Sequence, residues 1–270
     1  VIVSASPFSL MSLSKFIAVN YVDSNFIYDV GDPFFSNFQN SSIRNFMAKK
    51  YEKKYLPFID KIVVPSNEMK NSYINFFNVM PEKLKVIQQG IPNIFINKKL
   101  EPKKQINHAK VNLIYAGIFY KNLREPFELF KTINNLNGTA NLDIYGVNNI
   151  YFIVKSNFIN YFPNITQEIL FEKYRLADII VFIDNKEGIH IPGKFYELLS
   201  LNRPILFIYY NEKMSTYQIA KNYNHVITVQ NNEKEIEMGI ETIISNYNRL
   251  TNNSNFENLS WSQLAINYFR

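Results

Sequence analysis

Gly188-Ile189-His190-Ile191-Pro192-Gly193-Lys194-Phe195-Tyr196-Glu197-Leu198-Leu199-Ser200-Leu201-Asn202-Arg203-Pro204-Ile205-Leu206 follows the apolar run 179–183 and completes a strand, loop, helix, tight turn and strand. Pro192 and Gly193 stand where the helix starts, the place where proline costs no hydrogen bond. The free N–H groups of a helix start favour a phosphate, and Lys194 adds a point charge beside them. Glu197 lies three residues on, one turn up the same face. A carboxylate there accepts hydrogen bonds from the two hydroxyls of a ribose. Phosphate donors beside a ribose acceptor describe a pocket for a nucleoside diphosphate. A helix start with Pro, Lys and Glu is also ordinary in itself, so the reading needs support from the rest of the chain.

Outward from this stretch, short apolar runs alternate with helical patterns. Strands are predicted at 1–4, 26–29, 61–65 and 85–88, then at 112–116, 141–145, 179–183, 205–208 and 225–229. Helices are predicted at 40–55, 66–77, 125–136, 168–176, 194–201, 214–222, 233–247 and 256–270. Continuous apolar strands separated by helices imply buried parallel sheets covered on both faces, the doubly wound α/β class. The polar run Asn97-Lys98-Lys99-Leu100-Glu101-Pro102-Lys103-Lys104-Gln105 separates two such series. Two Rossmann-like domains are therefore expected: residues 1–95, a linker at 96–110, a second domain at 111–250, and a helix within 251–270 that returns to the first. The first series has about four strands and opens without Met on Val1-Ile2-Val3, so the N-terminal domain is expected to be incomplete.

Composition narrows the function classes. Among 270 residues there is no Cys, which excludes disulfide and thiolate–metal chemistry. His108, His190 and His225 are scattered, without zinc-site spacing, and no metal is expected. Net charge is +6, with short basic runs such as Lys49-Lys50-Tyr51-Glu52-Lys53-Lys54. These read either as a solvated surface or as attraction to an anionic membrane or phospholipid-linked partner. Nucleic acid is not expected, because no binding motif accompanies the charge. No run approaches the ~20 apolar residues of a membrane span.

The stretch 188–206 resembles the donor-site signature of family 4 and related glycosyltransferases of the two-Rossmann GT-B architecture, a Pro-x-Lys-x-x-Glu-(Tyr/Leu)-Leu segment running into a turn and Pro-(Ile/Val)-(Leu/Ile). Many members place a second Glu eight residues before the ribose Glu. Here that position is Ile189, and Glu187 is out of register. Other segments resemble the same family. Asp60-Lys61-Ile62-Val63-Val64-Pro65-Ser66 is similar to its strand ending in Ser. Lys83-Leu84-Lys85-Val86-Ile87-Gln88-Gln89-Gly90-Ile91 is similar to its lead-in to the interdomain link. Val111–Arg124 is similar to the first strand and glycine loop of its donor domain, and Leu176-Ala177-Asp178-Ile179-Ile180-Val181 to a later strand start. Ser4-Ala5-Ser6-Pro7 and Tyr28-Asp29-Val30-Gly31-Asp32-Pro33-Phe34-Phe35 resemble its "SxSPP" and "D-x-x-DPW" segments.

The resemblance implies a glycosyltransferase moving a sugar from a nucleotide-sugar donor to a hydroxyl of a lipid-linked or saccharide acceptor, with retention. It implies work in bacterial cell-surface polysaccharide or glycolipid synthesis, in the cytoplasm or peripherally on the inner face of the membrane. The nucleotide-sugar is a substrate, and no cofactor is expected. Gly117, Lys121, Arg124, Pro192, Gly193, Lys194 and Glu197 form the implied donor site. Tyr145-Gly146 with Pro163 and Ile165 stand where the nucleobase pocket lies. Asp32 is the candidate acceptor-side catalytic residue, with a capping Asp in a Gly-Asp-Pro turn as the alternative. A non-catalytic or split-subunit partner protein, or a sugar-nucleotide epimerase, remains open on the same fold. The sequence leaves the oligomeric state undetermined.

Overall fold

A computed structural model of the chain describes all residues except 6, 38–39, 98–105, 108, 147–149, 190, 251–255 and 270. The polar run at 98–105, His108 and His190 therefore lie outside the described residues. Contacts group the chain into two compact units. The first holds Val1–Gly90, Gly188–Gly193 and Asn258–Arg270, and the second Ile91–Glu187 and Lys194–Glu257.

In the first unit, β1 (Ile2–Ser4), α1 (Leu13–Asn20), β2 (Ile27–Asp29), α2 (Ser42–Tyr55), β3 (Lys61–Val64), α3 (Asn67–Phe77) and β4 (Leu84–Val86) follow one another. Their strands form a parallel sheet in the order β1-β2-β3-β4. Val64, Ile62 and Tyr28 are sealed inside it. Ser41 caps α2 and Ser66 caps α3, each accepting the amide three residues on. Asn78 ends α3 in the left-handed conformation with φ 54°, which Asn tolerates better than most residues.

In the second unit, α4 (Asn93–Asn97) precedes β5 (Val111–Ala116), α5 (Phe127–Asn135), β6 (Ala140–Tyr145), β7 (Ile159–Phe162), α6 (Gln167–Leu176) and β8 (Ile179–Ile183). Then come α7 (Gly193–Leu199), β9 (Ile205–Tyr209), α8 (Ser215–Ala220), β10 (Val226–Gln230) and α9 (Glu233–Asn246). The sheet is all parallel, in the order β10-β9-β8-β5-β6-β7. The chain reverses its winding between β5 and β8. Ligands of such sheets bind outside the carboxyl ends of the strands at that switch point. All five residues of β8 are buried, as a central parallel strand requires.

The structure adds a strand, β7, that the sequence pattern does not predict. Its Ile-Asn-Tyr-Phe sequence puts Asn160 on the face of Asp143, to which it donates at 2.9 Å, so it lacks the apolar run of a central strand. Helix α1 was also unread, because Ser9, Ser12 and Ser14 interrupt the apolar pattern around it. The expected helix 256–270 is a single short turn followed by α10 (Trp261–Ile266), because Ser260 caps a new helix by accepting from Gln263 N at 3.2 Å. Helix α10 packs in the first unit: Leu264 joins Val63 and Ile87, and the Trp261 ring lies where a side chain at Gly90 would stand. Among the described residues no helix is long and apolar enough to cross a membrane.

Glu52, on the inner face of α2, is 1% exposed. It accepts from Tyr73 Oη at 2.8 Å and from Phe35 N at 3.0 Å, tying α2 to α3 and to the turn carrying Asp32. Burial pushes its carboxyl up from 4.5 to about 7, against the pull of those two donors. A raised carboxyl pKa favours the folded state fully below 4.5, and that contribution is lost as pH rises through 7. Wild-type protein is therefore expected to lose roughly 3 kcal/mol from this group between pH 4.5 and 8. Glu52→Gln, which keeps an acceptor without the charge, should flatten that part of the stability curve in thermal melts across this range. An unchanged slope would remove Glu52 as its source.

Candidate functional site

The site builds up from the carboxyl ends of β8 and β5. Beyond Ile183, Asp184 continues the sheet by donating its amide to Ile208 O at 2.8 Å. The segment Gly188–Gly193 then packs in the first unit, where Ser66 Oγ donates to Ile189 O at 3.0 Å. Pro192 and Gly193 close this segment, and the Gln89 side chain occupies the space a Cβ on Gly193 would need, at 3.0 Å.

Helix α7 is held by its apolar side. Phe195, fully buried, packs on Phe182 at 5.2 Å and on Phe207 at 5.5 Å between ring centroids. With Phe195, Tyr196, Leu198 and Leu199 all buried, Lys194 and Glu197 take the remaining face. Their side chains pair at 3.0 Å, Nζ to Oε2. The structure thus brings together the two residues expected to hold diphosphate and ribose, and shows that each answers the other's charge. The helix has only seven residues, so Lys194 rather than a long helix dipole carries the positive charge here.

The loop after β5 supplies the second cation. Gly117 has φ 156°, and a Cβ there would lie 3.2 Å from the Tyr115 hydroxyl. Residues 120–124 close a tight turn, with Tyr120 N donating to Arg124 O at 3.0 Å, Arg124 N to Tyr120 O at 2.8 Å, and Asn122 at φ 64°. The turn sends its two basic residues to different neighbours. Lys121 lies over the Tyr151 ring, 5.1 Å from its centroid. Arg124 turns towards the end of β8, where Nη2 donates to Asn185 Oδ1 at 2.6 Å.

Beneath Arg124 lies a buried polar cluster. Asp184 accepts from Asn185 N at 2.8 Å and faces Thr216. Burial raises its carboxyl from 3.8 to about 6, while the Asn185 amide, Thr216 and the Arg124 charge pull it back. Burial likewise raises the Tyr115 hydroxyl, opposed by Arg124, which hydrogen-bonds it. Asn185 Nδ2 and Arg124 Nε are buried without a hydrogen-bond partner among the described residues. Asp184 and Asn185 were absent from the sequence reading. Their place directly after β8, at the switch point, was the available signal.

Of the segments that carry the expected nucleobase residues, the ends of β6 and β7 lie side by side. Tyr145 and Phe162 stack at 4.7 Å across β6 and β7. Gly146 has φ 102°, and a Cβ there would meet Asn164 Oδ1 at 2.9 Å and Gly117 O at 3.2 Å, so only glycine lets these loops approach. Pro163 is exposed beside them and Ile165 half-buried. Asp32 is exposed in the first unit, in the turn between Val30 and the Phe35 amide held by Glu52. Among the described residues, no group of three or more His, Asp or Glu side chains is placed to hold a metal ion.

No protein-family model matches this chain, and no curated protein sequence matches it significantly. Solved structures do match. A glycosyltransferase from Rickettsia africae is 16% identical, with a TM-score of 0.64 over 97% of this chain and 80% of that one. Anabaena Alr3699/HepE in complex with UDP-glucose is 12% identical, with a TM-score of 0.71 over 99% of this chain and 78% of that one. S. aureus MnaA, in its UDP co-structure, is 11% identical, with a TM-score of 0.55 over 99% and 72%. At these identities the likeness is one of fold, and the fold is GT-B, an α/β arrangement with two parallel Rossmann-like sheets.

Proposed function

We propose that this chain is a glycosyltransferase that takes a sugar from a nucleotide-sugar donor and passes it, with retention, to a hydroxyl of a lipid-linked or saccharide acceptor in cell-surface glycan synthesis. The observation that carries this reading is the placing of Lys194, Glu197 and Arg124 around the switch-point end of one parallel sheet. The UDP and UDP-glucose complexes of proteins with this fold support it.

In the reaction, the bond from the anomeric carbon to the diphosphate oxygen breaks, a bond to the acceptor oxygen forms on the same face of the sugar, and the acceptor's O–H proton passes to the departing diphosphate. Charge develops on the departing diphosphate, and fixed cations stabilise it most where water is excluded. Arg124, pre-set by Asn185, and Lys194 are the groups for that task, with Lys121 as a third cation on the same loop as Arg124. They supply the positive charge without a divalent ion. On donor binding, the Lys194–Glu197 pair opens: the ammonium turns to phosphate and the carboxylate to the ribose hydroxyls. Gly117 and Gly146 allow close backbone approach beside Tyr145, Pro163 and Ile165, the nucleobase side. Asp32 is assigned to the acceptor hydroxyl.

A nucleotide panel tests the reading. UDP, ADP, GDP, CDP and dTDP are each added to the chain and its melting temperature is followed. A diphosphate at a hundredfold excess over its Kd stabilises by about 2.7 kcal/mol, a rise of several degrees for a chain of this size. One member of the panel is expected to give that rise. If none does, the donor-site reading is wrong.

A further inference from the structure

We infer that Asp29, held by Tyr268 of the C-terminal segment, binds neighbouring hydroxyls of a neutral saccharide acceptor at the carboxyl end of the first sheet. This rests on the glycosyltransferase reading and adds to it the residues that hold the acceptor's sugar. Asp29 is the last residue of β2, at the end of a parallel sheet where ligands of such folds bind. The register sets Ser4, the last residue of β1, on one side of it and Val63 on the other. Residues aligned in this way share a face of the sheet. It is the face that α10 covers, where Val63 packs with Ile27, Leu264 and Tyr268. Tyr268 follows α10, and its hydroxyl donates to the Asp29 carboxylate.

Asp29 lacks the structural task that other acids at strand ends perform. Asp60 accepts the Phe26 amide at 2.7 Å, and Asp178 accepts the Asn112 amide at 2.8 Å, each at the amino end of a sheet. Asp29 accepts no backbone amide among the described residues. Burial raises its carboxyl above the usual value, and the Tyr268 hydroxyl offsets only part of that. A desolvated carboxylate with a single donor costs stability, and its two oxygens have capacity for further hydrogen bonds. Groups perturbed in this way cluster at functional sites. The surroundings leave room for a ligand. Ser4 is exposed, and Gly31, two residues beyond Asp29, has nothing within 4 Å of where a Cβ would stand. The chemistry selects the ligand class. A carboxylate accepts from two hydroxyls of one sugar, and the Ser4 hydroxyl both donates and accepts. An anion is disfavoured beside the carboxylate. Lys85, in the same register row, stands two strands away on β4.

Saturation-transfer NMR of the whole chain with the methyl glycosides of glucose, galactose, mannose and N-acetylglucosamine tests the assignment. At least one of these glycosides is expected to bind. Asp29→Asn should weaken it about tenfold or more, through loss of a charge-assisted hydrogen bond. Tyr268→Phe, which leaves the carboxylate without its holder, should weaken it by a smaller factor. Melting temperature supplies a readout that separates this role from a structural one. Because burial raises its carboxyl, ionised Asp29 costs stability at neutral pH, so Asp29→Asn should melt at the same temperature as wild type or higher. Glycoside binding is measured without nucleotide, and the thermal response to UDP should be unchanged in both variants. A failure here is therefore separable from a failure of the donor site. If no glycoside binds, or if binding survives Asp29→Asn, the proposal is overturned. A clear fall in melting temperature for Asp29→Asn overturns it as well, by making Asp29 a structural acid.

Discussion

Glu197→Ala is expected to weaken UDP binding about a hundredfold while leaving the fold intact. A carboxylate receiving two ribose hydroxyls makes two charge-assisted hydrogen bonds, each contributing about 1.5–3 kcal/mol. Losing both costs at least 3 kcal/mol, or about a hundredfold in Kd. One effect opposes this. Glu197 also neutralises Lys194 at 3.0 Å, so its removal frees a cation for the phosphate. A pair at i, i+3 is weak, about 0.5 kcal/mol, so the ribose term prevails. The two effects separate with pyrophosphate, which has no ribose. Calorimetry should show Glu197→Ala binding pyrophosphate as well as or better than wild type, and UDP far worse. Equal loss for both ligands would mean that Glu197 acts through the local fold and holds no ribose.

Phe195→Ala should destabilise the second unit by about 3–5 kcal/mol, the range for a fully buried aromatic replaced by Ala. A typical domain has about 5–15 kcal/mol in total, so this is a large share. Melting should fall by roughly 10 °C. The site should suffer with it. Phe195 fastens α7 to Phe182 and Phe207, and Lys194 and Glu197 ride on that helix. UDP affinity of the folded fraction should therefore drop as well. Phe195→Leu, which fills most of the volume, should recover most of both losses. A melting temperature within a degree or two of wild type for Phe195→Ala would show that α7 is held by something else.

What could be read from the sequence was whatever is local. Ile179–Ile183 announces itself as a central strand because burial on both faces leaves no room for polar alternation. Helix α7 and its turn into β9 are carried by Pro192, Gly193 and the four buried residues after Lys194. What escaped depends on partners distant in sequence. Nothing near Asn185 signals that Arg124, 61 residues away, will reach its carboxamide. Glu52 looked like an interruption of a basic run, because helical spacing alone did not show that Phe35 and Tyr73 would turn it inward. Strand β7 escaped because an edge strand needs only one apolar face, and Asn160 spends its other face on Asp143. Lys121 and Arg124, neighbours in sequence and alike in charge, diverge because the left-handed Asn122 reverses the chain between them.

The central claim, a nucleoside diphosphate held at the carboxyl ends of β5 and β8, is tested most directly by a crystal structure of the chain grown with UDP. The expected density places the diphosphate against Arg124 and Lys194, with Lys194 released from Glu197 and both Glu197 oxygens within hydrogen-bond reach of the ribose hydroxyls. UDP bound elsewhere, or bound there with the Lys194–Glu197 pair still closed and the ribose turned away from it, would contradict the assignment.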